Sequence, residues 1–425
     1  MKSVGILTLG CKVNTYESEY VINLLKENGY KIKDFQEQCD IYIINTCTVT
    51  NQSDSKSKKM IRQAIRRNPN ACIVAMGCFI QANPEYYENG IDILIGNKDK
   101  SNIISILDEY FKTKETIKKQ YIGRIKDFED MYIKDFPGRT RAFVKIQDGC
   151  DNFCSYCIIP FVRGKCRSKK EDEVVEEITD LVNNGYKEIV LTGIHTGSYG
   201  IDLETNFAHL LNRLVKIKGL LRLRISSIEA TELNEEVLSI LEKEKILVDH
   251  LHIPIQAGTN EILKKMNRKY NLDYFIQKIE QIRKIRPNIS ISTDLIIGFP
   301  GETEDLFEKT IETCKKIKFS KIHVFPYSER KGTASSRMEN KIDNKIKKQR
   351  AKRLIEISKE LEISYMNSFI NQTVEVLIEE NKDGNSIGHT GNFLHVKIKK
   401  EYKQNEIVKV KLIKIDYPYI IGIEE

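Results

Sequence analysis

The sequence predicts an α/β protein in three parts: an open parallel α/β unit, a (βα)6 partial barrel and a small all-β barrel of the OB-like kind. Three observations carry this reading. Short apolar strands alternate with amphipathic helices through residues 1–112, as in a parallel sheet covered by helices. Six further strand–helix units follow in 136–366, which suits a barrel or partial barrel. In 367–425 the pattern changes to a period of two with no helices between. A chain of 425 residues is long enough for each part to bury its own core.

In the first part, strands are expected at "VGILTLG", "IYIINTC", "CIVAMGC" and "DILIGN", with "SEYVINLLKENGY" a helix. The polar, lysine-rich stretch 113–135 reads as a linker. The barrel strands are expected at "AFVKIQ", "EIVLTG", "LRLRIS", "HLHIPI", "SISTDLIIG" and "IHVFPY". A long charged helix, 340–368, leads to the β-rich segments "TVEVLIEE", "FLHVKIKK", "EIVKVKLIKI" and "YIIGIE". Small barrels of this kind often bind nucleic acid.

A hydrophobic fraction of 40% and a charged fraction of 30% describe an ordinary globular protein. The net charge of +8 permits an anionic partner without demanding one. No stretch is long enough to span a membrane, and the opening apolar run is too short for a signal peptide. A cytoplasmic location is therefore expected, where ten cysteines read as metal ligands or packing residues before disulfides.

"CDNFCSYC" places Cys150, Cys154 and Cys157 on the loop after the first barrel strand. Barrel chemistry is placed at that end of the strands. A closed structural zinc site takes four protein ligands, and Cys166 in "RGKCRS" is the nearby candidate for a fourth. An iron–sulfur cluster held by three thiolates keeps one iron open to a small molecule. Cys11, Cys47 and Cys78 each follow a strand of the first part, at the edge where open α/β sheets bind ligands, and suggest a second metal site. Cys39, Cys72 and Cys314 read as packing residues.

The three-cysteine loop opening a six-unit barrel resembles the radical S-adenosylmethionine (SAM) superfamily. The resemblance implies a 4Fe–4S cluster on Cys150, Cys154 and Cys157 with SAM beside it. It also implies cofactor contacts from the strand ends: Gly193 in "LTGIHTGSYG", Ser227 and Glu229 in "RISSIE", Gln256 in "HIPIQAG", and Asp294 and Gly298 in "DLIIGFPGE". With a second three-cysteine set and a terminal β-barrel, the chain resembles the methylthiotransferases: an N-terminal methylthiotransferase domain, a radical SAM core and a TRAM domain. The segments "TLGCKVNTYESE", "INTCTVTN", "MNRKY" and "HVFPYSERKGT" are similar to the bacterial branch that acts on tRNA N6-threonylcarbamoyladenosine.

That branch adds a methylthio group to C2 of the adenosine at position 37, in the anticodon loop. The resemblance implies a second 4Fe–4S cluster on Cys11, Cys47 and Cys78, an electron donor such as flavodoxin or ferredoxin, a sulfur source, and no membrane partner. Candidate tRNA contacts are Lys59, Arg62 and Arg66 on one helix face. Lys397, Lys399 and Lys400 in the terminal domain join them, with Phe393, His395 and Tyr402 as stacking surfaces. Alternatives are the branches acting on isopentenyladenosine or on a ribosomal-protein aspartate, and a zinc-stabilised RNA-binding protein without catalysis.

Overall fold

A computed structural model of the chain describes residues 1–122 and 125–425. β1 (Ser3–Thr8), β2 (Lys31–Lys33), β3 (Ile41–Thr46), β4 (Cys72–Gly77), β5 (Ile93–Ile95) and β6 (Ile117–Tyr121) form one parallel sheet, ordered β2-β1-β3-β4-β5-β6. Successive side chains of β3 and β4 go to opposite faces, and helices cover both. Ile41, Ile43, Val74 and Met76 pack under α1 (Lys12–Glu27) and α4 (Ile103–Thr113). Tyr42, Ile44, Ile73 and Ala75 pack under α2 (Asn51–Arg67) and α3 (Cys78–Ala82).

β2 and β6 lie outside the expected strands. Both are edge strands, and an edge needs only backbone pairing on one side, so no apolar alternation marks them. β6 falls in the stretch 113–135 read as a linker, and Met131, Ile133 and neighbouring Phe136 are buried in the barrel's core. The stretch therefore packs against both units instead of merely joining them; its residues 123–124 lie outside the described residues.

β7 (Arg141–Lys145) opens the barrel. Two short strands, β8 (Gln147–Asp148) and β9 (Arg167–Ser168), pair antiparallel and pinch the segment between them into a loop carrying α5 (Ile159–Arg163). Then come α6 (Glu171–Asn183), β10 (Glu188–Thr192), α7 (Phe207–Leu214), β11 (Arg222–Ile225), α8 (Glu235–Lys243) and β12 (His250–His252). α9 (Asn260–Lys265), α10 (Leu272–Ile285), β13 (Ser290–Ile297), α11 (Glu304–Ile317) and β14 (Lys321–Pro326) complete it. The parallel sheets β11-β10-β7 and β12-β13-β14 meet at a Leu223–Leu247 bridge, leaving the barrel open between β7 and β14. The six expected strands are all present.

The apolar face of this barrel is its outside. Ile189, Leu191, Leu223, Ile225, Leu251, Ile291 and Leu295 join the helices in one core. By the pleat, the residues between them point inward. These include Glu188, Arg224, His250, His252, Ser292 and Asp294, so the barrel encloses a polar chamber.

After α12 (Asn344–Asn367), β15 (Thr373–Lys382), β16 (Asn385–Thr390), β17 (His395–Ile398), β18 (Ile407–Asp416) and β19 (Tyr419–Glu424) close a small barrel in the order β15-β16-β17-β19-β18. It docks at the start of the parallel strands, opposite the cysteine loop. Arg141 pairs with Glu379 at 2.7 Å, and Arg222 donates to the His389 and Glu375 carbonyls at 3.1 and 3.0 Å. Phe393, expected as an RNA-stacking surface, lies 4.6 Å from the Arg224 guanidinium and 5.0 Å from the His250 ring while staying partly exposed. His395 is stacked on His389 at 4.5 Å and contacts Tyr419.

A fully buried ionic cluster joins the first unit to the barrel. Arg163 of α5 donates to Glu17 of α1 at 2.9 Å, to Asp148 at 3.0 Å and to Asn14 at 2.7 Å. Lys145 reaches Glu17 and Asp148, both at 3.1 Å, and Lys100 pairs with the other Glu17 oxygen. Although burial opposes it, the surrounding cations, Arg163 foremost, hold the Glu17 carboxyl well below its ordinary value of 4.5. A lowered folded-state value contributes stability above the ordinary carboxylate range, lost as pH falls. Glu17→Gln should cost roughly 3–5 kcal/mol, because it leaves buried cations uncompensated. It should also flatten the loss of stability below about pH 4.5, both read from urea midpoints as a function of pH.

Candidate active site

Gly149 starts the cysteine loop at φ +75°, and a Cβ there would stand 2.0 Å from the Lys165 carbonyl oxygen, so only glycine lets the two ends of the loop approach. Gln147 holds the turn: its amide donates to the carbonyls of Asp148 and Gly149, and its oxygen accepts from the His195 backbone N–H at 2.8 Å. Cys150, Cys154 and Cys157 then lie within each other's electrostatic reach, and burial pushes the Cys157 thiol up to about 12. Arg268, from "MNRKY", comes within 3.6 Å of the Cys154 sulfur. The same guanidinium is held by Glu229, the Pro254 carbonyl at 2.9 Å and the Tyr270 hydroxyl at 2.7 Å.

The strand-end residues divide. Gly193 packs beside Gln147 at the end of β10, and Glu229 reaches the cysteine loop through Arg268. Ser227 is half-buried on the loop after β11. Gln256, at φ +69°, follows β12, and its backbone N–H donates to the Asp294 carbonyl at 2.9 Å. The Asp294 side chain turns into the chamber, 3.2 Å from His252 Nε2, with the His323 ring 5.6 Å from that of His252. Gly298 is covered by the Lys347 side chain from α12.

The second thiol set converges from three strands. Cys11 follows β1 as the N-cap of α1, Cys47 follows β3, and Cys78 opens α3 after β4. Gly10 makes the approach possible: at φ +99°, a Cβ on it would stand 2.9 Å from the Cys47 Cβ. Asn97 donates to the Cys78 sulfur at 3.3 Å and to the Val162 carbonyl, tying this set to α5. Burial pushes the Cys11 and Cys47 thiols up; the Arg163 charge pulls both back. Cys39, Cys72 and Cys314 sit in the hydrophobic cores.

Both sets fit an anionic metal–sulfur group. Each has a buried arginine beside it, Arg163 near Cys11 and Cys78, Arg268 near Cys154. Both arginines keep a buried Nε–H with no hydrogen-bond partner. Lone buried donors of this kind are rare and fit an acceptor that binds later. Cys166 is buried, its backbone N–H donated to Asp151 at 3.0 Å. Its thiol lies in reach of His195, whose imidazolium, disfavoured by burial, is nonetheless held protonated by Cys150, Cys166 and Glu232.

His195, Arg163, Arg268 and the chamber residues His252, His323 and Arg224 are absent from the sequence-derived set. The alternations "RLRI" and "HLH" carry a signal for some of them, since both polar residues of each must share one strand face.

A three-thiol loop at the mouth of a six-strand parallel barrel defines a radical SAM enzyme. Consistent with this, the Radical SAM superfamily matches residues 144–314, and the Uncharacterized protein family UPF0004 matches 3–96. The threonylcarbamoyladenosine tRNA methylthiotransferase MtaB of Bacillus subtilis is 44% identical over 99% of this chain and 96% of its own length. A tRNA-2-methylthio-N(6)-dimethylallyladenosine synthase of Clostridium botulinum is 35% identical over 99% of this chain and 96% of its own. The solved radical SAM methyltransferase TsrM from Kitasatospora setae shares the fold, with a TM-score of 0.55 at 14% identity over 76% of this chain and 73% of its own. This chain belongs to the family of threonylcarbamoyladenosine tRNA methylthiotransferases. Membership brings a 4Fe–4S cluster and SAM. No helix among the described residues is long and apolar enough to cross a membrane.

Cys154→Ala should remove the irons of the SAM-binding cluster, about four, from the anaerobically reconstituted protein, whereas Cys166→Ala should keep them, as measured by iron and acid-labile sulfide analysis.

Proposed function

We propose that this chain adds a methylthio group to C2 of N6-threonylcarbamoyladenosine at position 37 of tRNA, using two 4Fe–4S clusters. The observation that supports it most directly is Arg163, which joins the loop carrying one thiol set to the helix that carries Cys11 of the other. A C2–H bond is neither acidic nor polarised, so acid–base groups have little hold on it. Cluster and SAM, when bound, supply the carbon radical able to break such a bond.

The chain's own residues hold and orient. Cys150, Cys154 and Cys157 hold the SAM-binding cluster, and Arg268, fixed by Glu229, donates toward it. Cys11, Cys47 and Cys78 hold the sulfur-carrying cluster at the uncapped N-terminus of α1, whose first turn has no acidic residue, so the helix end favours negative charge. Gly193, Ser227, Gln256 and Asp294 line the route from the strand ends into the chamber, and Gly298 shapes the turn after β13.

The RNA partner is the anticodon loop. Lys59, Arg62 and Arg66 share the exposed face of α2, although Arg62 is already paired with Glu88. Phe153 and Phe161 are exposed beside the cysteine loop, 6.2 Å apart, where unstacked bases find aromatic faces. An electron donor of the flavodoxin or ferredoxin kind and a sulfur source complete the system. We divide the chain into a methylthiotransferase domain, a barrel and a TRAM domain that serves tRNA affinity as well as closing the barrel floor.

Cells lacking the protein should lose the methylthio mark on threonylcarbamoyladenosine alone, read by mass spectrometry of tRNA nucleosides; loss from the isopentenyl nucleoside instead overturns the assignment. In vitro, Cys47→Ala should still cleave SAM reductively to 5′-deoxyadenosine while forming no methylthio product, since its thiol belongs to the other unit.

A further inference from the structure

One cation at the barrel chamber has no hydrogen-bond or ion-pair partner among the described residues. Arg224 is paired with Glu188 and Arg141 with Glu379, each at 2.7 Å, and Asp294 is taken by His252 at 3.2 Å. Lys12 is close enough to Asp294, Arg141, Arg224, His250 and His323 for their charges to interact. Yet it makes no hydrogen bond or ion pair with any described residue. It is open to water, and it stands next to Cys11 at the start of α1, where the helix end adds to the positive potential.

His252, Asp294 and His323 bring their ligand atoms within 4.8 Å of one another, a donor set that could suit a metal ion. The cations around them oppose that: Lys12, Arg141 and Arg224 all face the same space. With Arg141 and Arg224 each held by a carboxylate, Lys12 is the cation free to meet an incoming anion.

The reaction proposed above brings two carboxylates, one on the methionyl part of SAM and one on the threonylcarbamoyl group. Lys12 comes from the N-terminal unit and not from the barrel that all SAM-cleaving relatives share, which favours the carboxylate peculiar to this substrate. We propose that Lys12 binds the carboxylate of the threonylcarbamoyl group and so selects that adenosine over those whose N6 substituent is neutral. This rests on the substrate assigned above.

The test uses the full-length reconstituted protein with SAM and no reductant, so that nothing turns over. Binding is measured by fluorescence anisotropy to one anticodon stem-loop in three forms: threonylcarbamoyladenosine, its methyl ester, and isopentenyladenosine. The unmutated protein should prefer the free acid to the ester by on the order of ten- to a hundredfold, the worth of one charged hydrogen bond. Lys12→Met should abolish that preference and Lys12→Arg should restore most of it, with iron content unchanged in both. Lys12→Met retaining the full preference overturns the inference and leaves the substrate assignment standing. The same result with weakened SAM binding in equilibrium dialysis assigns the ammonium to the methionyl carboxylate, and overturns it too. Tighter binding of the isopentenyl form by the unmutated protein overturns the substrate assignment, and this inference with it.

Discussion

Arg163 reaches out of the cysteine loop and is buried completely between the two larger units. Its guanidinium meets Glu17, Asp148 and Asn14 at once, and both carboxylates share it with Lys145. A charge so far from water is held only by geometry good enough to repay desolvation, so the partners cannot drift apart without a large penalty. The consequence is mechanical. The helix bearing Cys11 and the loop bearing Cys150 keep one fixed relation across the seam.

The same seam has an electrostatic consequence. Lys100, Lys145, Arg163 and Arg167 outnumber Glu17, Asp148 and the nearby Glu129 there, and Arg163 lies beside the thiols of Cys11 and Cys78. A surplus of buried positive charge destabilises an empty site and stabilises one holding an anionic metal–sulfur group. Arg268 beside Cys154 repeats the arrangement on a smaller scale. Holding the two groups and holding the two units together are thus one structural problem with one solution.

The barrel inverts the usual economy of parallel sheets. Its apolar residues face the helices, and its interior is lined by Glu188, Arg224, His250, His252 and Asp294, closed from below by Phe393 of the terminal domain. Such a chamber can admit a polar nucleotide from the open end. The terminal β-barrel is therefore part of the chamber's wall.

The sequence by itself determined the three-part architecture and most of its strands, and it singled out the two thiol sets, because each is written locally: alternation in a strand, a gap between cysteines, a cysteine at a strand end. It also determined the family, through the segments around those thiols. Only the tertiary structure decided that Glu17, Asp148 and Arg163 form one cluster, that Arg268 comes to Cys154, and that Phe393 reaches Arg224 and His250. These pairings join residues as many as 169 positions apart, as between Arg224 and Phe393, and no local pattern encodes a distant partner. Lys12 shows the division most clearly. In sequence it is a lysine after a cysteine; in space it stands among the charges of the chamber with no ion-pair or hydrogen-bond partner among the described residues, a relation set by side chains from several distant strands.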